Sequence, residues 1–326
     1  NVLSVLMQCV AIVSLVTLGL GWIGEPAFAR LLEPAAWSKV KDAPDAALWA
    51  AHRAQKERLV RFVRERVRVQ SARHGLSPDE LRQVEGLLDP HALTIGFARR
   101  FATYKRAGLL FSDLHRLRKL VGDSARPLQI LLAGKAHPAD KAGQELIQHI
   151  FQLSQSEALK GKVFFVEDYD MRVGRMFVQG VDVWLNTPRR PLEASGTSGM
   201  KAAMNGALNC SIADGWWPEG FDGENGWVIG STAEDPGPSA AGREPVDDAR
   251  SDREDGLALY DLLEEQIVPI YYDRDETGLS VEWLRRMKEA IATITPKFSS
   301  DRMVRDYAEL AYSSLLQAEP TPAGRV

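Results

Sequence analysis

The sequence predicts an α/β protein built on a doubly wound parallel sheet. Between about residues 93 and 230, short apolar runs alternate with segments whose apolar residues recur at helical spacing. This alternation is typical of parallel strands joined by right-handed helical crossovers. The glycine-rich and basic motifs follow individual strand candidates, and ligands of such sheets bind at the carboxyl ends of the strands. The motifs are therefore expected to meet along one edge.

Six apolar runs have the length and composition of buried strands. They are Leu93–Phe97, Leu128–Ala133, Val163–Val166, Val181–Leu185, Asn209–Ile212 and Trp227–Gly230. Helices are expected between consecutive strands, and the one after the fourth strand carries Lys201. The other three extend to about Leu120, from about Ala139 to Leu153, and from about Met171 to Gln179.

Helices are also expected on both sides of the strand region. Apolar residues at helical spacing predict one long amphipathic helix from Asp45 to Arg73 with an arginine-rich outer face. Ser77 has the chemistry of an N-cap for a short second helix. The stretch from Ser231 to Asp252, rich in Pro, Gly and Asp, is interpreted as a loop. The last predicted helices are Asp252–Ile267, Val281–Ile294 and Ser299–Leu316, with Ser251 and Ser280 as N-caps.

Composition places the chain among soluble globular proteins. Of its 326 residues, 45% are apolar and 26% are charged, and the net charge is −4. This balance argues against nucleic acid as a partner, so the arginines of the long helix are interpreted as a solvated face. Cys9 and Cys210 lie far apart, which excludes a disulfide framework and suits a reducing compartment. The six histidines show no paired spacing, so no metal site is expected.

The start of the chain is anomalous. Residues 1–24 carry no charge and are long enough to span a bilayer, and Ala27–Ala29 resembles a signal-peptidase site. No initiating Met and no basic segment precede this run. We therefore expect residues 1–23 to be non-native, the chain to be the C-terminal part of a longer protein, and the protein to have no membrane anchor.

A turn of small residues between Glu193 and Lys201 follows the fourth strand candidate. The N–H groups and dipole at the start of the next helix suit a phosphate. Lys201 lies about one turn inside that helix, where an amine beside a phosphate could form the imine of pyridoxal phosphate. Taken alone, the turn favours an ordinary strand-to-helix connection with a surface lysine, because such turns are common.

A second constellation is basic and follows the first strand candidate. Arg100 and Lys105 are five residues apart and could converge on phosphate oxygens, or they could form a basic edge screened by solvent. Three more motifs have two readings each. Tyr169 could pack on a cofactor ring or in the core. Glu193 could bind sugar hydroxyls, or it could be an acid at a helix N-terminus that the helix dipole stabilises. The Gly- and Trp-rich loop 214–227 could stack on sugars or cover the sheet.

These motifs resemble those of the α-glucan phosphorylases, the glycogen, starch and maltodextrin phosphorylase family. Glu193–Lys201, followed by Asn205-Gly-Ala-Leu, resembles the family's cofactor-lysine signature. The run Tyr104-Lys-Arg resembles its phosphate-binding segment, and Trp22–Arg30 resembles the start of its second lobe. Gly134-Lys-Ala-His-Pro and the double Trp look most like the shorter bacterial branch.

The resemblance implies the second Rossmann-like lobe of a GT-B glycosyltransferase fold. It also implies reversible phosphorolysis of α-1,4-glucan by inorganic phosphate, which releases α-glucose 1-phosphate with pyridoxal 5′-phosphate as cofactor. The chain then divides into an anomalous segment 1–23, a helical lead-in 24–92, a cofactor- and phosphate-binding core 93–230, and a loop with C-terminal helices 231–326.

The resemblance also implies residue roles. Lys201 would form the imine, Thr197 and Ser198 would bind the cofactor phosphate, and Tyr169 would pack near the pyridine ring. Arg99 is assigned to the cofactor, and Arg100 and Lys105 to the cofactor and substrate phosphates. The glucosyl unit would contact Tyr104, Glu193, Ser195 and Gly196.

The implied protein is a cytoplasmic enzyme of glycogen metabolism, with a homo-oligomer as one option for its assembly. Because the first lobe is absent from this sequence, we expect the chain alone to be inactive. Two alternatives remain at this level. One is a lobe of a nucleotide-sugar-dependent glycosyltransferase, which shares the fold and the phosphate site. The other is a non-catalytic glucan-binding remnant.

Overall fold

The computed structural model describes residues 34–230 and 248–312. Within these ranges six strands form one parallel sheet in the order β3-β2-β1-β4-β5-β6. This is the strand order of the doubly wound Rossmann fold, so the predicted fold class is confirmed. The strands are β1 Leu93–Ala98, β2 Leu128–Ala133, β3 Val163–Val166, β4 Val183–Asn186, β5 Leu208–Ile212 and β6 Gly226–Ile229.

Helices precede, connect and follow the strands. They are α1 Pro34–Ser38, α2 Asp45–Arg73, α3 Pro78–Glu85, α4 Leu114–Gly122, α5 Lys141–Ser154, α6 Met171–Gly180, α7 Thr197–Met204, α8 Trp217–Gly220, α9 Asp248–Leu262, α10 Val268–Tyr272, α11 Val281–Phe298 and α12 Ser300–Asp306. Short 3-10 turns occupy Lys39–Asp42, Thr103–Lys105 and Ala107–Phe111, and π-helical turns occupy Leu263–Ile267 and Tyr307–Tyr312.

The core lies on both faces of the sheet. Successive side chains of a strand point to opposite faces, and in β2 Ile130 and Leu132 join one apolar cluster while Leu131 and Ala133 join the other. Helices α4, α5, α9 and α11 cover the first face, and α2 and α6 cover the second. Burial on both faces explains why the strands are continuous apolar runs rather than alternating ones.

The long helix α2 has the predicted bounds, Asp45–Arg73. It crosses α6 closely, because a Cβ on Gly180 would lie 2.6 Å from the Cβ of Leu59. The predicted N-cap at Ser77 is confirmed by a full capping box, in which Ser77 and Glu80 satisfy each other's backbone N–H groups. The packing of α2 on α6 therefore fixes the lead-in helices to the sheet.

Two sequence-based boundaries were wrong. The segment after β1 is not one helix to Leu120, because two 3-10 turns come first and Asp113 caps a helix that begins only at Leu114. Ser251 does not cap a helix, since it lies inside α9, which already includes Asp248. Ser280 does cap α11, accepting a hydrogen bond from the Trp283 N–H at 3.3 Å.

Some of the sequence-based interpretations fall outside the described residues. These are the apolar segment 1–23, Cys9, the Trp22–Arg30 resemblance, most of the loop that begins at Ser231, and the last residues of the final predicted helix. Among the helices within 34–230 and 248–312, none combines the length and the apolar composition that a membrane crossing needs.

A buried ionic cluster ties α2 to the amino edge of the sheet. Lys56 is 1% exposed, and its Nζ lies 2.5 Å from Asp182 Oδ2 and 3.0 Å from the Tyr271 hydroxyl. The other carboxylate oxygen of Asp182 lies 2.8 Å from His52 Nε2, and the Thr94 N–H donates to Asp182 at 2.7 Å. Burial acts to raise the pKa of Asp182, but Lys56 and His52 outweigh it and hold that pKa below its ordinary value. The carboxylate is therefore ionised at neutral pH and holds the buried ammonium.

Removal of the Asp182 charge should destabilise the fold. Asp182→Asn leaves a buried ammonium without its counter-charge, so the free energy of unfolding should fall by about 3–5 kcal/mol. Urea unfolding followed by circular dichroism measures this loss. The double variant Lys56→Met with Asp182→Asn should recover part of it, whereas Glu254→Gln in an exposed pair with Arg250 should leave the midpoint unchanged. An unchanged midpoint in Asp182→Asn would contradict this role for the cluster.

Candidate active site

Two of the predicted motifs meet at the carboxyl edge of the sheet. Arg99 directly follows β1, and its Nη2 lies 2.6 Å from Glu193 Oε2 in the loop between β4 and α7. Lys105 Nζ lies 2.8 Å from the same oxygen. Asn186, the last residue of β4, accepts a further hydrogen bond from Arg99. The strand ends therefore bring together side chains that are more than eighty residues apart in sequence.

This cluster is buried and carries an excess of positive charge. Arg99 and Lys105 are each 7% exposed and Glu193 is 8% exposed. Burial acts to raise the pKa of the Glu193 carboxyl, but Lys105 and Arg99 outweigh it, so that this pKa lies below its ordinary value. Glu193 is thus ionised at neutral pH. One carboxylate faces two cations, which leaves one unneutralised positive charge at a buried position and suits an anion.

Tyr104 lies beside the same cations. Lys105 Nζ is 4.7 Å from the centroid of its ring, a cation–π distance. Burial acts to raise the pKa of the Tyr104 hydroxyl, but Lys105 and the exposed Arg100 outweigh it and bring the pKa below its ordinary value. The Arg189 N–H donates to the Tyr104 carbonyl at 2.7 Å and fixes this segment to the loop after β4. Arg100 therefore extends the positive field of the cluster to its rim.

The glycine-rich turn leads into α7 as the sequence predicted. Gly196 has φ of +89°, a left-handed conformation that favours glycine, and a Cβ there would lie 3.6 Å from Glu193 Cγ. Gly199 packs so closely on the sheet that a Cβ would lie 2.6 Å from Asn209 Oδ1. Gly196 therefore lies against Glu193 at the start of α7, and Gly199 lets the helix pack closely on β5.

Lys201 is half-buried, one turn inside α7. Across residues 34–230 and 248–312, its amine has no hydrogen-bond or ion-pair partner, and neither do the hydroxyls of Thr197 and Ser198. An amine and two hydroxyls without protein partners at a helix N-terminus are the groups that a phosphorylated aldehyde would use.

Tyr169 follows β3 and is half-buried. Burial raises the pKa of its hydroxyl, and the charge of Arg99 acts in the opposite direction. A Cβ on Gly174 would lie 2.9 Å from this hydroxyl, so the ring packs closely on the first turn of α6. Tyr169 is thus oriented by α6 and lies within the electrostatic reach of Arg99.

Two segments that follow β2 and β3 share the edge but not the cluster. Glu167 pairs with Arg73 at 3.0 Å and with His74 at 3.1 Å, at the end of α2. Gly134, Lys135 and Ala136 line a separate open groove of about 520 Å³ beside β2 and β3, together with Glu167. The edge therefore carries two neighbouring regions, and the buried cations Arg99 and Lys105 lie in the one around Glu193.

The Gly- and Trp-rich loop covers the sheet edge and does not present sugar-stacking platforms. Trp216, Trp217 and Trp227 are 4%, 0% and 3% exposed. Trp216 packs against Phe298 with ring centroids 5.0 Å apart, and the backbone N–H of Trp216 donates to the Ser195 carbonyl at 2.8 Å. The alternative that the loop stacks on sugars was therefore wrong. The loop covers the sheet, and it also supports the turn before α7.

Sequence reasoning missed several polar residues around the cluster. The fourth strand candidate ended at Leu185, so Asn186, the next residue, was not noticed. Asp214 was also missed, and it accepts a hydrogen bond from the Glu193 N–H at 2.9 Å. Arg106 was seen only as part of a basic run. Asp252 and Asp255 show a helical i, i+3 spacing that could have indicated one acidic face, but nothing in the sequence gave its partner. The described ranges contain no group of three His, Cys, Asp or Glu that could hold a metal ion.

Comparison with known proteins identifies the family. The model of the carbohydrate phosphorylase family matches residues 26–235. The chain is 48% identical over 284 residues to a glycogen phosphorylase of Aquifex aeolicus, covering 87% of this chain and 39% of that protein. It is 45% identical over 280 residues to a maltodextrin phosphorylase of Thermococcus litoralis, covering 86% of this chain and 31% of that protein.

A glycogen phosphorylase of Mycobacterium tuberculosis is 42% identical over 294 residues, which cover 90% of this chain and 33% of that protein. The chain thus spans between about three and four tenths of the length of these relatives. The strand order, the cluster of Arg99, Lys105 and Glu193, and the sequence matches agree. The chain belongs to the carbohydrate phosphorylase family.

Proposed function

We propose that this chain is the cofactor- and phosphate-binding lobe of a pyridoxal phosphate-dependent α-glucan phosphorylase. The reaction would be reversible phosphorolysis of α-1,4-glucan to α-glucose 1-phosphate, in the cytoplasm. The observation that carries the proposal is the buried, net positive cluster of Arg99, Lys105 and Glu193, which lies against the start of the helix that holds Lys201.

The residues present fit pyridoxal phosphate. The amine of Lys201 and the hydroxyls of Thr197 and Ser198 are without partners among the described residues. Arg99 adds a buried guanidinium, and Tyr169 a half-buried aromatic surface. When bound, the group would supply a phosphate that moves a proton to and from the attacking inorganic phosphate. The chain would hold it by Lys201 and by the donors at the start of α7.

The cations have a second task in this proposal. Two phosphates in one cleft repel each other strongly, because screening is weak where water is excluded. Lys105 and Arg99 are buried and Arg100 extends the positive field to the rim, so the chain can offset both charges. These cations are fixed before ligand arrives, and a fixed charge stabilises developing negative charge without reorganisation.

Glu193 would change partners when substrate binds. In the structure its carboxylate neutralises Arg99 and Lys105. An incoming phosphate offers the same cations a stronger acceptor, which frees the carboxylate for adjacent sugar hydroxyls beside the Ser195 and Gly196 amides. Tyr104, packed over Lys105 Nζ, would contact the same glucosyl unit.

Covalent capture of the cofactor tests the proposal. Pyridoxal phosphate added to the purified chain should give the absorbance of an imine, which borohydride reduction should convert to a fixed adduct on Lys201. Mass spectrometry of peptides locates the adduct. Lys201→Ala should abolish it, and Lys162→Ala, at an exposed lysine before β3, should not.

The same experiment separates the alternatives. A nucleotide-sugar-dependent lobe would bind UDP- or ADP-glucose and show no imine absorbance, and a non-catalytic remnant would show neither. An adduct spread over surface lysines, with no loss in Lys201→Ala, would overturn the proposed function.

Neutralising Glu193 should strengthen anion binding. Glu193→Gln keeps the shape of the side chain but removes the charge that occupies Arg99 and Lys105. The Kd for pyridoxal phosphate should therefore fall roughly tenfold at low salt, equivalent to about 1.4 kcal/mol. Absorbance titration measures the Kd. Glu167→Gln, which removes an acid from the neighbouring groove, is the matched control and should have no effect. A Kd that rises in Glu193→Gln would contradict the assignment of Glu193 as the resident counter-ion.

The isolated chain should not turn over glucan. The lobe described here would supply the cofactor and phosphate side of the cleft, and the rest of a whole phosphorylase would supply the opposite wall and the glucan subsites. Incubation of the chain with maltodextrin and inorganic phosphate should therefore release no glucose 1-phosphate, while a full-length family member does so under the same conditions. Measurable phosphorolysis by the purified chain would contradict this expectation.

A further inference from the structure

A network of three arginines, Arg106, Arg189 and Arg190, adjoins the segment that carries Tyr104 and Lys105. Arg106 is 6% exposed and has φ of +46°, a left-handed conformation that costs a non-glycine residue energy. Its guanidinium donates to the Thr187 carbonyl at 3.0 Å and to the Pro188 carbonyl at 2.9 Å. The residue next to Lys105 is therefore held in an unfavourable backbone conformation by contacts with the loop after β4.

The two loops are also joined through their backbones. The Thr187 hydroxyl lies 3.1 Å from both the Lys105 and the Arg106 carbonyls, and the Arg189 N–H donates to the Tyr104 carbonyl. The segment that carries Tyr104 and Lys105 is thus fastened to the loop after β4.

Helix α9 closes this unit with two acids that lie one turn apart. Asp255 is 2% exposed, and it accepts from Arg106 at 2.7 Å and from Arg190 at 2.8 Å. Asp252 accepts from Arg106 at 2.8 Å and from Arg189 at 2.8 Å. The acids of α9 therefore hold arginines from both loops, and Asp255 does so without competition from water.

We infer that Asp255 is a positioning residue for the phosphate site, acting through Arg106 on Lys105 and Tyr104. The inference rests on the proposed function. Without the Asp255 charge, the Arg106 guanidinium is held less firmly, its strained backbone relaxes, and the Lys105 ammonium leaves the place where it meets Glu193 and a phosphate.

The effect is specific because Lys201 is supported by other elements. Helix α7 packs against α6, α11 and β5, whereas α9 packs against β6 and the 3-10 turn Ala107–Phe111. Loosening α9 therefore changes the cation at Lys105 and leaves the amine at Lys201 in place. A ligand with a phosphate senses the change, and the same aldehyde without a phosphate does not.

The test compares two aldehydes, pyridoxal 5′-phosphate and pyridoxal, on the full 326-residue chain. The ratio of their affinities, measured by absorbance titration, reports the phosphate contribution alone. Lys105→Met should lower this ratio roughly tenfold, the effect of one charge-assisted hydrogen bond. Asp255→Asn should lower the ratio at least about threefold while the Kd for pyridoxal stays constant. Glu264→Gln, which removes a carboxylate that pairs with Arg116 farther along the chain, should leave the ratio unchanged.

A double-mutant cycle checks the route. If Asp255 acts through Lys105, Asp255→Asn should have no further effect on the ratio in the Lys105→Met background. If Asp255→Asn folds poorly, Asp252→Asn, at a half-exposed site, should give a smaller decrease of the same ratio.

An unchanged ratio in both aspartate variants, or equal weakening of both aldehydes, would overturn the inference. A parent chain that forms no imine with either aldehyde would instead refute the proposed function.

Discussion

The site depends on a single carboxylate oxygen. Glu193 Oε2 accepts from both Arg99 and Lys105 inside the protein, and two cations brought so close together would repel each other strongly without it. Several neighbouring residues support this contact. Asn186 accepts a hydrogen bond from Arg99, Asp214 holds the Glu193 backbone, and Gly196 lies against the Glu193 side chain at the start of α7. The chain thereby keeps two cations buried side by side, because the Glu193 carboxylate offsets their mutual repulsion.

The strand order explains why this contact forms at the carboxyl edge of the sheet. Parallel strands end at one edge, and here the ends of β1 and β4, neighbours in the sheet, deliver the cations and the acid. Helix α9 then holds arginines of both following loops through Asp252 and Asp255. The position of the site is therefore determined by the strand order and by the salt bridges of α9, and no single motif is sufficient.

The fold and the center of the site could be predicted from the sequence, and their surroundings could not. Continuous apolar runs identified all six strands because both faces of the sheet are covered. The motif around Lys201 and the basic run identified both halves of the cluster. The segment after β1 was mistaken for one helix because Asp113, whose cap starts α4, was not recognised. The partnership of Arg106 with Asp255 was missed because 149 residues separate them, and charge spacing within one helix does not reveal a distant partner.

The ionic cluster of Lys56 and Asp182 lies at the amino edge of the sheet, beside the starts of β1 and β4, while Glu193 lies beyond their other ends. The same two strands thus separate the buried ionic cluster at one end of the sheet from the proposed anion site at the other. Because the two sites lie at opposite ends of these strands, substitutions at one end should add independently to substitutions at the other.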